Sequence, residues 1–431
     1  MDKKKVLIIA YYWPPAGGPG VQRWLKFIKY LPEFNIEPIV YVPSNPNYPI
    51  TDDSLVDEIP KGLTIIKQPI AEPYKLANKI SRGKSETISK GIISDKKRQN
   101  VMERLMLFVR GNFFIPDARK KWVKPSVNYL STYIRDFGIE TIITTGPPHS
   151  LHLIGEQLRE RCNVKWIADF RDPWTTIGYH KKLKLMPIAR KKHKVLEAKV
   201  LNSADNIVVT SNNTKQSFAS LTEQPIEVIT NGYDYEAVGN VVLDEKFSIS
   251  HIGSLLSDRN PEILWKVLDE LVTDDKVFAS MLQLNFVGSV SKNVLRSLEV
   301  HNLSQYANLK GYVSHGDAIK YQRESQVLLL IEIDSEDTKC IIPGKLFEYM
   351  ASNRPILAIG PKGSDVAEIL RTTNTGNYFL YNEKDVIKEA ILDMFQAFKS
   401  GDLKSSAIGL KQYSRKALTS KLAKLINLNF D

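Results

Sequence analysis

The sequence predicts an α/β protein of two Rossmann-like halves with parallel sheets, and three observations carry that reading. The chain has 431 residues, more than one ordinary hydrophobic core serves, so two domains of about 200 residues each are expected. Apolar runs at 4–12, 38–42, 141–145, 166–170, 247–252, 284–288, 326–333 and 356–360 alternate with loops and amphipathic helical segments, the pattern of a parallel sheet. With 43% hydrophobic and 25% charged residues the composition is that of a globular protein.

No run of about 18 apolar residues occurs, so no transmembrane helix is expected. The first apolar run ends at Pro14-Pro15 without a small-residue cleavage site, and reads as a first strand rather than a signal peptide. Cys162 and Cys340 are far apart and form no metal or disulfide spacing, which fits a reducing cytoplasm.

The most informative stretch is 343–360. An apolar run at 326–333 precedes it, so the segment reads strand, loop, helix, tight turn, strand. In such a unit the loop after the strand and the first helical turn face the ligand crevice. Pro343-Gly344 suits a helix start with free N–H groups, and Lys345 adds a full positive charge. Glu348, three residues on, projects from the same helix face. A carboxylate beside a phosphate site is costly unless it accepts hydrogen bonds, and the vicinal hydroxyls of a ribose supply them. The pair therefore reads as a nucleoside-diphosphate clamp. A solvated i, i+3 ion pair, worth about 0.3–0.5 kcal/mol, is the plainer alternative, but it needs neither the Pro-Gly start nor the buried strand.

This stretch, PGKLFEYMASNRPILAIG, resembles the donor-binding segment of the GT-B glycosyltransferases, in particular the retaining group called family 4 (bacterial glycosyltransferase group 1). The resemblance implies the GT-B fold, two Rossmann-like domains whose parallel sheets face each other across a cleft, with the active site between them. It implies that Glu348 binds the donor ribose, while Cys340 stands where the family often has a second Glu that contacts the transferred sugar. Glu336 and Asp337 are nearby substitutes for that contact. The segment Gly253-Ser254-Leu255, with Arg259 following at a helix start, resembles the family's glycine loop, and implies that Arg259 grips the diphosphate together with Lys345.

In the first half, strand 4–12 runs into Pro14-Pro15-Ala16-Gly17-Gly18-Pro19-Gly20 and a helix from about Val21, a plausible anion-binding corner that a plain tight turn explains equally well. The family carries a Gly-Gly loop here, which places Gly17 and Gly18 beside the donor phosphates. His149 follows the strand 141–145 and reads either as a member of the acceptor or sugar site or as a helix-start residue with Ser150 as the cap. Asp169, Arg171 and Asp172 lie in DFRDPW, which resembles the family's acceptor-side segment. The two aspartates are candidates for sugar hydroxyls and Arg171 for their local neutralisation. Asn231-Gly232-Tyr233-Asp234 resembles the family's turn before the hinge. The expected organisation is an acceptor-side domain at 1–238, a nucleotide-sugar domain at 239–412 and a helix at 413–431 returning to the first domain.

The net charge of +11 is concentrated. Residues 71–124 hold 14 Lys and Arg against 5 Asp and Glu, and residues 180–200 hold 8 against 1. The first block reads as a basic insertion outside the core. Within 101–115, apolar clusters among cations suit either an interfacial helix on an anionic bilayer or a helix packed on its own domain.

No metal-ligand spacing, GxSxG or nucleic-acid module appears, so no metal and no nucleic acid are expected. The expected activity is transfer of a sugar from a UDP- or GDP-linked donor, without further cofactor, to a lipid-linked or saccharide acceptor of surface polysaccharide synthesis, at the inner face of the plasma membrane. Retention is implied by the resemblance. The catalytic candidates are His149, Arg259 and Lys345. A GT-B-like nucleotide-sugar epimerase and a degenerate nucleotide- or polyanion-binding protein are the rival readings.

Overall fold

A computed structural model describes residues 3–72, 101–181, 183–234 and 241–428. The chain divides into two compact units, Met1–Asn231 with Arg415–Asp431, and Gly232–Ser414.

The first unit holds a seven-stranded parallel sheet in the order β3-β2-β1-β4-β5-β6-β7. Its strands are β1 Lys4–Ile9, β2 Ile36–Pro43, β3 Thr64–Gln68, β4 Thr141–Gly146, β5 Lys165–Phe170, β6 Asn206–Val209 and β7 Ile226–Val228. β4 and β5 are buried along their whole length, as strands covered on both faces must be. The first helix spans Pro19–Tyr30 and starts two residues earlier than the apolar spacing suggests, because Pro19 has no N–H to satisfy there. The chain builds β1, β2 and β3 outward on one side and β4 to β7 on the other, so the order reverses between β1 and β4. Loops after these strands flank the place where open α/β sheets bind ligands.

The second unit repeats the plan with β8 Phe247–Ile252, β9 Leu282–Val287, β10 Ala307–Gly311, β11 Val327–Ile331, β12 Ile356–Gly360 and β13 Gly376–Leu380, ordered β10-β9-β8-β11-β12-β13. Its order reverses between β8 and β11. The loops that leave these two strands carry Gly253 and Arg259 on one side, and Glu332 and the approach to Lys345 on the other.

The helix Arg415–Asn427 packs in the first unit, where Leu418, Leu422 and Ile426 join Trp24, Leu25 and Ile28. Lys4 Nζ donates to the Ile426 carbonyl at 2.9 Å and Lys165 Nζ to those of Leu425 and Leu428 at 2.6 and 2.8 Å. These lysines satisfy carbonyls that the last helical turn leaves open.

The reading of 71–124 as lying outside the core needs correction for part of its length. Trp122 is buried and stacks on Tyr41 at 4.9 Å, Leu107 is buried, and Glu72 pairs with Arg119 at 3.0 Å. Their hydrophobic and paired surfaces close one face of the sheet. Lys96, Lys97 and Arg98 of the same stretch lie outside the described residues.

Asp169 tests how this unit handles charge. Its carboxylate accepts from Arg23 at 2.9 Å, from Trp24 Nε1 at 2.9 Å and from Thr145 at 2.8 Å, and Arg23 also donates to the Thr230 carbonyl at 2.8 Å. Both charged side chains are essentially inaccessible. Breaking such a pair leaves a buried charge without compensation. Asp169→Ala is expected to lower unfolding stability by about 3–5 kcal/mol, read from urea denaturation. A loss within about 0.5 kcal/mol, the range of an ordinary surface change, would show that the pair does not hold these elements together.

Candidate functional site

The second unit brings Lys345, Gly253, Arg259 and Glu348 to one end of its sheet. Lys345 opens the helix Lys345–Ala351. Its Nζ lies 3.1 Å from Nε2 of His251 and donates to the Ile252 carbonyl at 3.1 Å. His251 is fully buried, and its Nδ1 lies 3.1 Å from the Leu329 carbonyl. A carbonyl only accepts, so Nδ1 carries the proton, and Nε2 offers Lys345 a lone pair. Burial and the neighbouring ammonium hold His251 well below its ordinary pKa, which keeps it in that neutral form.

Burial and the charge of Arg259, opposed by Glu348, push Lys345 from 10.5 down to about 7. Among the described residues no carboxylate forms an ion pair with Lys345 or Arg259. The Nε of Arg259 is buried without a hydrogen-bond partner among them. Two cations at one strand end that no carboxylate contacts directly favour an anion.

Gly253 adopts a φ of +114°, where L side chains are strained, and a Cβ there would sit 3.4 Å from the Lys345 nitrogen. Glycine thus leaves the approach to the ammonium open. Glu348 accepts from the buried Gln322 at 3.0 Å through Oε2. Its position relative to Lys345 is that of adjacent turns on one helix face.

Two residues of this site escaped the sequence reading, His251 and Glu332. Glu332 follows β11, is buried, and accepts from Tyr378 at 2.7 Å and Ser364 at 3.0 Å. Burial pushes its carboxyl up to about 7, against the pull of those hydrogen bonds and of Arg259. A Cβ at Gly360 would fall 2.7 Å from Glu332 Oε2, so that glycine is required by close approach. The one available signal was a lone polar residue at the end of an otherwise apolar strand. Glu336, a substitute for the missing Glu at Cys340, is largely exposed and pairs with Lys339 at 2.8 Å.

The first unit gathers His149, Arg171 and Asp172 at the ends of β4 and β5. His149 is 6% exposed and stacks on Trp174 at 5.0 Å, and neither ring nitrogen has a hydrogen-bond partner among the described residues. Burial, His152 and Arg171 keep it neutral by holding its pKa far down. It lines a cavity of about 90 Å³ with Tyr12, Trp174 and His180. The following helix Ser150–Cys162 is capped from elsewhere: Asp117 accepts from the Ser150 backbone N–H and hydroxyl, each at 2.8 Å. The idea that Ser150 itself caps is therefore replaced, because Asp117 reaches the first turn and fills that role.

Arg171 reaches across to the Pro147 carbonyl and lies directly over Gly20, where any side chain would collide with it. Its work is to join three loops rather than to neutralise Asp169, which is paired with Arg23. Asp169 is thereby removed from contact with a sugar, since its oxygens are occupied within the core. Asp172 makes no such bonds among the described residues, and burial raises its pKa against the pull of Arg171. Gly17 donates to the Ile50 carbonyl at 3.0 Å, and Gly18, with φ +103°, opens the helix with no atom within 4 Å of a Cβ.

No family model and no curated protein matches the sequence. Solved structures do match, over nearly the whole chain. Sucrose-phosphate synthase from Thermosynechococcus elongatus superposes with a TM-score of 0.62 at 13% identity, covering 98% of both chains. HepE of Anabaena, in complex with UDP and glucose, gives 0.60 at 12% over 98% of this chain and 99% of its own. WaaG, a glycosyltransferase involved in lipopolysaccharide biosynthesis, gives 0.56 at 10% over 98% and 100%. The chain has the GT-B fold of the glycosyltransferases. Both units match the doubly wound halves of that fold, with the strand reversals described above.

The depressed Lys345 has a consequence for the free protein. Between about pH 7 and 10.5 the unfolded chain keeps a proton on this lysine that the folded chain has lost, so Lys345 makes stability rise with pH through that window. Thermal unfolding of wild type against Lys345→Met is expected to show a difference that favours the variant at pH 7 and shrinks towards pH 10. A difference independent of pH would mean that the lysine is not held in this way.

Proposed function

We propose that this chain transfers a sugar from a nucleoside-diphosphate sugar to a saccharide or lipid-linked acceptor, with retention at the anomeric carbon. The observation that carries the reading is the pair of cations, Lys345 and Arg259, at the strand reversal of the second unit, with which no carboxylate among the described residues forms an ion pair. In this role the two stabilise the charge that grows on the departing diphosphate, where fixed donors act most strongly. Gly253 leaves room for the phosphates, and Glu348, steadied by Gln322, takes the ribose hydroxyls. Gly17 and Gly18 serve the donor from the first unit.

His149, neutral and with no hydrogen-bond partner on either ring nitrogen among the described residues, hydrogen-bonds a hydroxyl of the sugar or acceptor, and Asp172 is a carboxylate for the same purpose. No protein nucleophile is required if the leaving phosphate takes the acceptor proton. UDP is one expected leaving group, in keeping with the UDP and UDP-glucose bound to HepE, and GDP is the other. Synthesis of surface polysaccharide is the setting this activity fits.

Mass spectrometry of the protein incubated with UDP- and GDP-sugars, oligosaccharides and membrane lipid extract tests the reading. Free nucleoside diphosphate together with a sugar-modified acceptor is expected. Lys345→Met is expected to reduce kcat/KM by roughly 10–100-fold, the value of a hydrogen bond to a charged group. An isomerised nucleotide sugar without released diphosphate would establish an epimerase instead, and an unchanged panel would leave a binding protein.

Donor affinity carries a pH signature as well. Above about pH 7 the free protein loses the Lys345 proton and gains a charge on Glu332, and both changes disfavour an anion. Calorimetry above that pH is expected to show weaker UDP or GDP binding accompanied by proton uptake. Affinity that rises with pH would contradict the assignment.

A further inference from the structure

The fold places the two basic blocks of the first unit side by side. The helix Val101–Phe113 and the helix Pro187–Ser203 are joined through Asn112, whose Oδ1 accepts from the Met186 N–H at 2.7 Å and whose Nδ2 donates to the Lys184 carbonyl at 3.3 Å. His193 Nε2 lies 3.4 Å from the Gly111 carbonyl. Each helix buries one side, with Leu107 on the first and Ala189, His193 and Val200 on the second.

The opposite sides are amphipathic in an unusual sense. On the first helix Leu105, Val109 and Phe113 recur every fourth residue, and all three are exposed, Phe113 by 61%. On the second, Ile188 is 82% exposed and Val195 56%, with Lys191 and Lys192 between them on the same face. Lys120 donates to the Phe113 carbonyl. Its pKa is lowered first by burial and then by the charges of Lys192 and Lys121, so cations from both blocks crowd one place. None of these three lysines has an acidic partner among the described residues.

We propose that this composite face, Phe113, Ile188 and Val195 with Lys120, Lys121 and Lys192, docks on an anionic lipid bilayer. Exposed large apolar side chains gain by entering the acyl boundary, and the cations that surround them gain by lying among anionic headgroups. A nucleic acid would satisfy the lysines and leave the apolar stripe in water, which is why the lipid surface is favoured. Among the described residues no helix is long and apolar enough to cross a membrane, so the contact is a peripheral one. The proposal does not depend on sugar transfer, because binding to vesicles requires neither donor nor turnover.

Flotation of the full chain with vesicles of phosphatidylcholine alone, and of phosphatidylcholine mixed with phosphatidylglycerol, tests it. Binding is expected to the mixed vesicles at low salt, to weaken as salt is raised, and to be absent with phosphatidylcholine alone. The triple variant K120Q/K121Q/K192Q is expected to bind about a hundredfold more weakly. F113S/I188S is expected to lose about tenfold. K61Q/K67Q, elsewhere on the same unit, is expected to bind as wild type, with circular dichroism verifying that all variants are folded. The proposal is overturned by equal binding to both vesicle types, by no binding at low salt, or by an equal loss in K61Q/K67Q. Tighter binding to duplex DNA or RNA than to the mixed vesicles would also overturn it and would name a nucleic acid as the partner.

Discussion

Lys345 holds its ammonium between the lone pair of His251 and the carbonyl of Ile252, close enough to Arg259 for that charge to disfavour the ammonium, and this arrangement sets the requirements on its neighbours. His251 must be buried and singly protonated on Nδ1, which the Leu329 carbonyl enforces. Position 253 must be glycine, because the chain turns there with positive φ beside the ammonium. Tyr349 must reach back to Ile252, where it accepts from the N–H at 2.9 Å and donates to the carbonyl at 3.2 Å, fixing the strand end that carries the lysine's acceptor. The buried strands β8 and β11 make the platform rigid, and a preorganised charge is worth most where nothing has to move to meet its ligand.

The two units treat charge in opposite ways. In the first, Arg23 and Asp169 neutralise each other inside the core, and their remaining hydrogen-bond positions go to Trp24, Thr145 and Thr230. Such a pair tolerates burial because each charge meets the other and is further hydrogen-bonded, although the Nε of Arg23 has no hydrogen-bond partner among the described residues. In the second, the cations are incomplete, and their surroundings hold Lys345 and Glu332 near the point of half-protonation at neutral pH. What separates the two is the ion pair: a cation held by a carboxylate has its charge met within the protein, and a cation that no carboxylate contacts is where an anionic ligand is to be sought.

The same distinction explains what the sequence made legible. Strands and their ends follow from local apolar runs, so Phe247–Ile252, the sheet of the second unit and the lysine after Pro343-Gly344 were readable in order. Asp169 and Asp172 stand three residues apart at the end of one strand and look alike in sequence. Only the partner Arg23, 146 residues earlier, separates the structural carboxylate from the free one. Glu332 and His251 were hidden for a related reason, since their character comes from Tyr378, Ser364 and Lys345 on other elements. The basic stretch 71–124 misled through its charge, because Trp122 and the Glu72–Arg119 pair enter the core beside it.

The function proposed for this protein requires a diphosphate site in the second unit. Calorimetric titration of UDP and GDP, each against its own nucleoside at neutral pH, tests it most directly. At least one diphosphate is expected to bind far more tightly than its nucleoside, and Lys345→Met to remove most of that difference. Equal affinity of nucleoside and diphosphate, or a difference that survives the substitution, would contradict it.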